Sequence, residues 1–435
     1  MRAVRTLVIK LLPRDKLIRS SLVLAGGTAA GQAVSIVASP LLARLYSPAD
    51  FGVLSVFNSF LALFAMAATL RLEMAILIAK DRRELASLIA LAMVTTTGMT
   101  IIIPGALFLL RNGANGTGLS SISRFWGLLA LGIFFAALLE ILGCLALRRG
   151  DFKLMVSARI RQVVIQVLAQ FCFAAVGIGP MGLLAGEAVG RAIAAATLFR
   201  KLARFDAGVI EHLGWRELRN QAIRYRKFPL LTMPSALVDN LANQVPVLMT
   251  ATFFGSSVTG QFFMAWRLIG VPVSLIACST KDAFTSELSG LLLRDPSKAR
   301  HLFITTYKRL VRLVAVPMIA LFAFGPTIIR IALGSQWSAC GKFLRILSIP
   351  FMINNINGPF LNVLTLLERQ ELKLALSVVS TGLVAFSTWF FAARTGDAFL
   401  SIWAMTIAQA ACSLGHSLVV WRSLERAHLR SESRV

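Results

Sequence analysis

The sequence predicts an all-α polytopic membrane protein, with twelve transmembrane helices in two pseudo-symmetric six-helix lobes. Three observations carry that expectation. The first is composition: of 435 residues, 57% are hydrophobic and only 15% charged, and the mean hydropathy is +0.73. Apolar stretches of about 18 residues or more recur from end to end, each long enough to cross a hydrocarbon core about 30 Å thick. A β-barrel would show short alternating segments, and these runs are continuous. The second is charge placement, which alternates from loop to loop. The third is internal repetition. Sliding the stretch 228–268 back by 208 positions lays Ala251–Phe254 on Ala43–Tyr46, Gly260 on Gly52, Asn240 on Gln32 and Asn243 on Ser35. A second copy of the first hairpin in mid-chain implies two like halves.

The spans lie at roughly 20–45, 51–78, 84–110, 122–147, 155–177, 181–203, 228–254, 256–282, 304–324, 340–366, 372–393 and 397–421. Pro40, Pro104, Pro234, Pro246, Pro272 and Pro350 interrupt some of them, as is tolerated where neighbouring helices or water satisfy the freed carbonyls. An even number of spans puts both termini on one side. Of the 45 Lys and Arg, 36 fall in the termini and loops of that side, against seven on the other (Arg44, Arg111, Arg124, Arg330, Lys342, Arg345 and Arg394). The positive-inside rule makes the basic side cytoplasmic. It also accounts for the net charge of +25 without any nucleic-acid partner. The organisation is then a basic cytoplasmic N-terminus (1–19), a first lobe (20–203), a cytoplasmic linker (204–227), a second lobe (228–421) and a cytoplasmic tail (422–435). The apolar run after Ser20 is too long for a signal-peptide core and should remain as the first span.

The linker mixes Trp215, Leu218, Ile223 and Tyr225 with Arg216, Arg219, Arg224, Arg226 and Lys227. That pattern reads as a basic amphipathic helix on the anionic inner leaflet, with a regulatory partner site as the other reading. Because six is even, the repeat is parallel. That implies a pseudo-two-fold axis along the membrane normal, with a substrate path between the lobes.

Charges inside a bilayer cost at least ~2.5–3.5 kcal/mol each, so they face protein or water. Asp239, Asn240, Asn243 and Gln244 form a polar stripe at helical spacing. It could be a cavity wall that binds a coupling ion or proton, or an interhelical hydrogen-bond cluster. Arg267 lies deep in span eight and suits a phosphate, or else a buried acid such as Asp239. Glu187 and Arg191 stand at i, i+4 in the favourable order for a helix pair, and Arg191 is otherwise a second cavity cation. Glu140 is a lone acid in span four, fit for a proton relay or a buried pair. Arg71 and Glu73 close span two at the inner mouth of the expected cavity, where interfacial charge is the plainer reading. Gln32 matches Asn240 in the repeat, and Asn354, Asn355 and Asn357 beside Gly358–Pro359 suggest an unwound, polar segment in span ten.

The five cysteines have no metal or disulfide spacing, and no phosphate-binding loop, catalytic triad or zinc motif occurs. The chain therefore reads as a transporter rather than an enzyme, with no cofactor. Energy would come from a proton or sodium gradient, or from the substrate's own.

Several stretches resemble one family. SPLLARLYSPADFGVLSVFNSF (39–60) and LRLEMAILIAKDRRELASLIALA (70–92) look like the opening of the O-antigen and polysaccharide flippases, the Wzx-like branch of the MOP exporter superfamily. DNLANQVPVLMTATFFGSSVTGQFFMAWRLIGVPVSLI (239–276), GSQWSACGKFLRILSIPF (334–351) and LERQELKLAL (367–376) are similar to later parts of the same family. The resemblance implies a two-lobed, MATE-like fold. It implies alternating access that carries an undecaprenyl-pyrophosphate-type oligosaccharide across the bacterial plasma (inner) membrane, for O-antigen, lipopolysaccharide, capsule or exopolysaccharide. Polymerase and export machinery would be its working partners. In that scheme Arg267, Arg71 and Arg191 meet the pyrophosphate. Asp239, Asn240, Asn243, Gln244, Glu73, Glu187, Gln32, Asn354 and Asn355 line the cavity or serve coupling. A cation-coupled multidrug exporter of the same fold is the first rival reading, and a membrane polysaccharide polymerase or assembly scaffold the second.

Overall fold

The computed structural model describes residues 16–110, 123–202, 214–294, 296–361, 363–364 and 369–432. The basic arm before Lys16, the loop with Arg111 and linker residues 204–213 lie outside the described residues. In chain order the helices are α1 (Lys16–Leu45), α2 (Pro48–Thr69), α3 (Glu73–Ile78), α4 (Arg82–Leu110), α5 (Trp126–Arg148), α6 (Phe152–Val176), α7 (Pro180–Leu202), α8 (Trp215–Arg224), α9 (Met233–Arg294), α10 (Pro296–Ala332), α11 (Ser338–Asn357), α12 (Gln370–Thr395) and α13 (Ala398–Glu432). No strand occurs among the described residues.

Eight of these helices are long and apolar enough to cross a membrane: α2, α4, α5, α6, α7, α10, α12 and α13. The 62-residue α9 is two helices meeting at Gly255, whose φ of 76° and ψ of 178° lie outside the helical region and suit a residue without a Cβ. With α1, the two arms of α9 and α11, the order is consistent with twelve spans. Large apolar side chains such as Ile101, Leu109, Val316, Ile331 and Ile407 are more than half exposed, as lipid-facing residues should be.

The described residues pack as two compact units whose borders fall inside helices: at Leu42 in α1, at Ser59 in α2 and at Asn240 in α9. The tip of the first hairpin, Ala43–Ser59, packs with the second unit. Duplication and packing therefore divide the chain at different points.

In the first unit, Leu72, Ile76, Leu88, Ile141, Leu145 and Leu198 share one buried cluster drawn from α3, α4, α5 and α7. Asp151 starts α6 by accepting the Leu154 amide at 3.0 Å, the usual work of an N-cap aspartate. Small residues let α6 and α7 lie close: Gly186 faces Gln170, and Gly190 faces Gln162 and Gln166. Among the described residues the expected linker helix spans Trp215–Arg224. Tyr225 follows it into the core and donates its hydroxyl to Glu84 Oε1 at 2.8 Å, while Arg224 pairs with that oxygen at 2.7 Å. Burial and the Glu84 carboxylate hold the Tyr225 hydroxyl above the ordinary phenol range, so it stays a donor.

The second expected span, 51–78, is not continuous. Leu70 and Arg71 take left-handed φ angles of 51° and 60°, and the helix restarts as α3. Neither residue is glycine, so each costs about 1–3 kcal/mol and persists only where the surroundings hold it. Thr69 helps: its hydroxyl donates to Met66 O at 3.0 Å and accepts from the Arg71 amide. Arg148, at the end of α5, closes the far end of α3. Its Nη1 and Nη2 donate to Ile76 O and Ala79 O, both at 2.6 Å. Those carbonyls would otherwise lack partners where the chain leaves the helix.

In the second unit, the YSPADFG motif builds a helix start and a crossing. Asp50 Oδ2 accepts from the Ser47 amide (2.9 Å) and hydroxyl (2.8 Å), Ser47 Oγ accepts from the Asp50 amide, and Pro48 sits at the first helical position. Gly52 then meets the Ser256 carbonyl of α9, and Gly260 meets the Pro48 carbonyl. Ser256 and Gly260 are Pro48 and Gly52 displaced by the 208-residue repeat, so the contact is reciprocal. The GSQW stretch secures the same hairpin. Trp337, fully buried, donates its indole N–H to Ala43 O at 2.9 Å, Gln336 donates there at 2.7 Å, and Phe51 meets the Trp337 ring edge-on. Span ten departs from expectation. Asn354 and Asn355 lie in an intact helix that runs through Asn357, and the chain tightens to a 3-10 turn only at Gly358–Leu361. Asparagine in mid-helix is accommodated here because Asn355 donates back to Phe351 O at 2.8 Å.

Three outcomes follow from these surroundings. Gly260→Val places a branched side chain against the Pro48 carbonyl and should cost about 3 kcal/mol or more. Gly98→Ala, where an added Cβ meets nothing within 4 Å, should be neutral or slightly stabilising. Thermal unfolding of the purified protein in detergent compares the two. Arg148→Met uncaps two carbonyls and should destabilise by about 1–3 kcal/mol in the same measurement; an unchanged midpoint would remove the guanidinium from its supporting role.

Candidate functional site

The break at Leu70–Arg71 turns Arg71 and Glu73 toward charged residues of α5 and α7. Arg71 Nη1 lies 3.3 Å from Glu73 Oε1, and Glu73 is only 1% exposed. Glu140, on α5, is within electrostatic reach of Glu73, Arg71 and Arg191. On α7, Arg191 Nη2 pairs with Glu187 Oε1 at 2.7 Å, and Gln166 of α6 donates to Glu187 Oε2. Arg159 of α6 is in electrostatic reach of Arg191 and Glu187, and donates to Gln162 Oε1 at 3.0 Å.

The cluster thus holds Arg71, Arg159 and Arg191 against Glu73, Glu140 and Glu187, balanced when every acid is ionised. It is incompletely satisfied. Arg71 Nε, Glu73 Oε2, Glu140 Oε2 and Arg191 Nε are buried with no hydrogen-bond partner among the described residues. Buried polar atoms left unpaired are costly in a low-dielectric interior, and such a set is what a proton, water or substrate oxygen can complete. Adding one proton to an acid leaves the cluster with a net positive charge, and so better able to hold an anion.

Of the residues singled out from sequence, Arg71, Glu73, Glu140, Glu187 and Arg191 come together here. The others stand on α1, α9 and α11. Asp239 and Asn243 are exposed one turn apart on the first arm of α9, and Gln244 is half-buried there. Asn240 donates to Ala62 O at 2.9 Å, and Gln32 is half-buried on α1. Arg267 is half-buried on the second arm of α9, beside Trp266, whose ring packs edge-on against Phe351 of α11 at 4.7 Å. Asn354 and Asn355 lie about one turn past Phe351, so Arg267 and these asparagines share neighbouring helices of the second unit.

Sequence reasoning missed the glutamines. Gln162, Gln166 and Gln170 recur every four residues along α6, a polar stripe visible in the sequence, and Gln170 donates to Leu183 O of α7 at 3.2 Å. Arg148 and Arg159 are among the 36 basic residues that the sequence assigns to the cytoplasmic termini and loops, yet Arg148 ends α5 and Arg159 stands two turns inside α6.

No curated protein matches the sequence. Among solved structures, the chain is similar to an inward-facing multidrug resistance MATE family transporter of the MOP superfamily, with a TM-score of 0.73 and 16% identity over 92% of this chain and 95% of that one. It is also similar to the lipid II flippase MurJ in an inward closed conformation, with a TM-score of 0.75 and 13% identity over 94% and 90%. A MOP superfamily transporter from Pyrococcus furiosus gives a TM-score of 0.59 and 15% identity over 94% and 96%. At these identities the likeness establishes the fold. The sequence itself matches the family described as polysaccharide biosynthesis protein over residues 41–342. The chain belongs to that polysaccharide biosynthesis family, carried on the fold of the MOP exporters.

Proposed function

We propose that the protein is a flippase that moves a polyprenyl-pyrophosphate-linked oligosaccharide repeat unit across the bacterial plasma membrane by alternating access, for a surface polysaccharide. The family match carries the reading, and the half-paired cluster around the broken second span supports it. A sugar–pyrophosphate head cannot enter hydrocarbon, so a polar, cationic interior must shelter it while the lipid tail stays in the bilayer. Arg71, Arg191 and Arg267 are the cations for the pyrophosphate in this reading, since guanidinium binds phosphate in a fork. Asp239, Asn240, Asn243, Gln244, Asn354 and Asn355 take the sugar side of the cavity. Both termini face the cytoplasm, on the strength of the basic-loop asymmetry. Nothing in this scheme calls for bond-breaking chemistry by the chain.

Glu140 and Glu73 serve coupling in this reading. A proton taken by either acid makes the cluster cationic and favours the pyrophosphate. Its release restores charge balance and weakens the hold. A multidrug exporter on the same fold would instead carry cations and gain nothing from these arginines.

Reconstitution with a fluorescent polyprenyl-pyrophosphate oligosaccharide tests both roles. Arg71→Ala and Arg267→Ala should each slow flipping at least ~tenfold, the loss of a charge-assisted hydrogen bond, with little change in the unfolding midpoint. Normal flipping by both variants, or drug efflux without flipping by the parent protein, would reject the reading. Glu140→Gln should abolish any acceleration by an imposed pH gradient; a variant still accelerated takes Glu140 out of coupling.

A further inference from the structure

Helix α8 has one face that the fold uses and a flank that it does not. Leu218 and Ala222 pack against the core of the first unit, and Tyr225 is buried in it just beyond the helix. These residues, three or four positions apart, share one side. The Arg224 and Tyr225 contacts to Glu84 pin that side to the start of α4, so the helix cannot roll.

On the adjoining flank Trp215, Arg219 and Ile223 stand at i, i+4 and i+8 in one stripe, with Arg216 beside it. All four are exposed: Trp215 at 75% and Ile223 at 53%. Exposed apolar residues continue past the helix at Leu230 and Leu231, where the chain enters α9, and Arg226 and Lys227 between them are exposed too. Glu217 is the only acid from 214 to 227, and helical spacing puts it on the far side from the stripe.

We infer that Trp215, Arg216, Arg219 and Ile223 form a binding site for the headgroups of anionic phospholipids. The two guanidiniums bind the lipid phosphates, and the indole and the Ile side chain enter the boundary between headgroups and acyl chains, where Trp is favoured. A zwitterionic surface would leave the guanidiniums without net compensation. A soluble acidic protein would match the charge, but it would not account for apolar exposure that runs on from the helix into a membrane span. The pinned attachment to α4 and the short path to α9 hold the flank at the depth where headgroups lie. The site rests on the orientation of the chain proposed above and is independent of what the protein transports.

Hydrogen–deuterium exchange of the full-length protein in nanodiscs reads the site directly. Backbone amides 215–224 should exchange markedly more slowly in discs containing phosphatidylglycerol than in discs of phosphatidylcholine alone. Native mass spectrometry of the detergent-purified protein gives a second readout. Arg216→Gln with Arg219→Gln should lower retention of phosphatidylglycerol ~tenfold or more, at about fivefold per basic residue, and leave phosphatidylcholine unchanged. All four residues are exposed, so these variants should fold. Equal exchange in the two kinds of disc, or equal phosphatidylglycerol retention by the double variant, overturns the proposal. Protection that arises in phosphatidylcholine discs only when cytoplasmic extract is added would assign the flank to a protein and overturn it as well. Loss of flipping with lipid binding intact would count against the transport reading alone.

Discussion

The grip of Arg148 on the carbonyls of Ile76 and Ala79 is the interaction that the candidate site depends on. A span interrupted in mid-course leaves backbone donors and acceptors that water cannot reach. In a bilayer such an interruption survives only where protein groups take them up. The guanidinium supplies two donors in a fixed fork, which fits two carbonyls one turn apart in a way that a lysine would not. With α3 closed in this manner, the strained pair Leu70–Arg71 can persist, and the Arg71 and Glu73 side chains are held against α5 and α7. One cation that looks like an ordinary loop charge thus supports the placement of a second cation and its acid partner.

The cluster is unusual in being balanced in charge yet incomplete in hydrogen bonding. A structural ion-pair network would be expected to satisfy its donors and acceptors, because low dielectric magnifies the penalty of leaving them open. Here Glu187 is fully engaged by Arg191 and Gln166, whereas Glu73 and Glu140 each keep an oxygen unpaired among the described residues. The engaged pair is the rigid part and the two open acids are the part able to respond. A site that binds an anion in one state and frees it in another needs both.

Much of the fold was legible because membrane physics is written in long runs. Uninterrupted apolar stretches and the sidedness of Lys and Arg need no tertiary knowledge to read. The 208-residue offset also stood in plain view, and its physical meaning at Gly52 and Gly260 is a backbone crossing that tolerates no side chain. The break in the second span was not legible. It has neither Gly nor Pro; the Thr69 hydroxyl meets the Arg71 amide at the break, and distant Arg148 closes the helix that follows. The span-ten asparagines misled for the opposite reason. Polar residues beside Gly-Pro suggest unwinding, but Asn355 satisfies itself on its own helix and the helix persists to Asn357. Arg148 reads as a loop charge because the span border drawn from hydropathy falls one residue short of it, whereas Arg159 lies inside span five and only tertiary contacts reveal its neighbours. The glutamine stripe on α6 was visible and went unread, since amides attract less notice than charges.

The reciprocal meeting of Gly52 with Ser256 and of Gly260 with Pro48 has the form of a self-complementary patch, in which each surface serves as both key and lock. Such patches belong to pairs of identical subunits. Here both surfaces lie in a single polypeptide, so the two copies of the hairpin meet as two identical subunits would. One contact thus fixes the residue type at two positions 208 apart, since a side chain at either glycine would strike the backbone of the other hairpin.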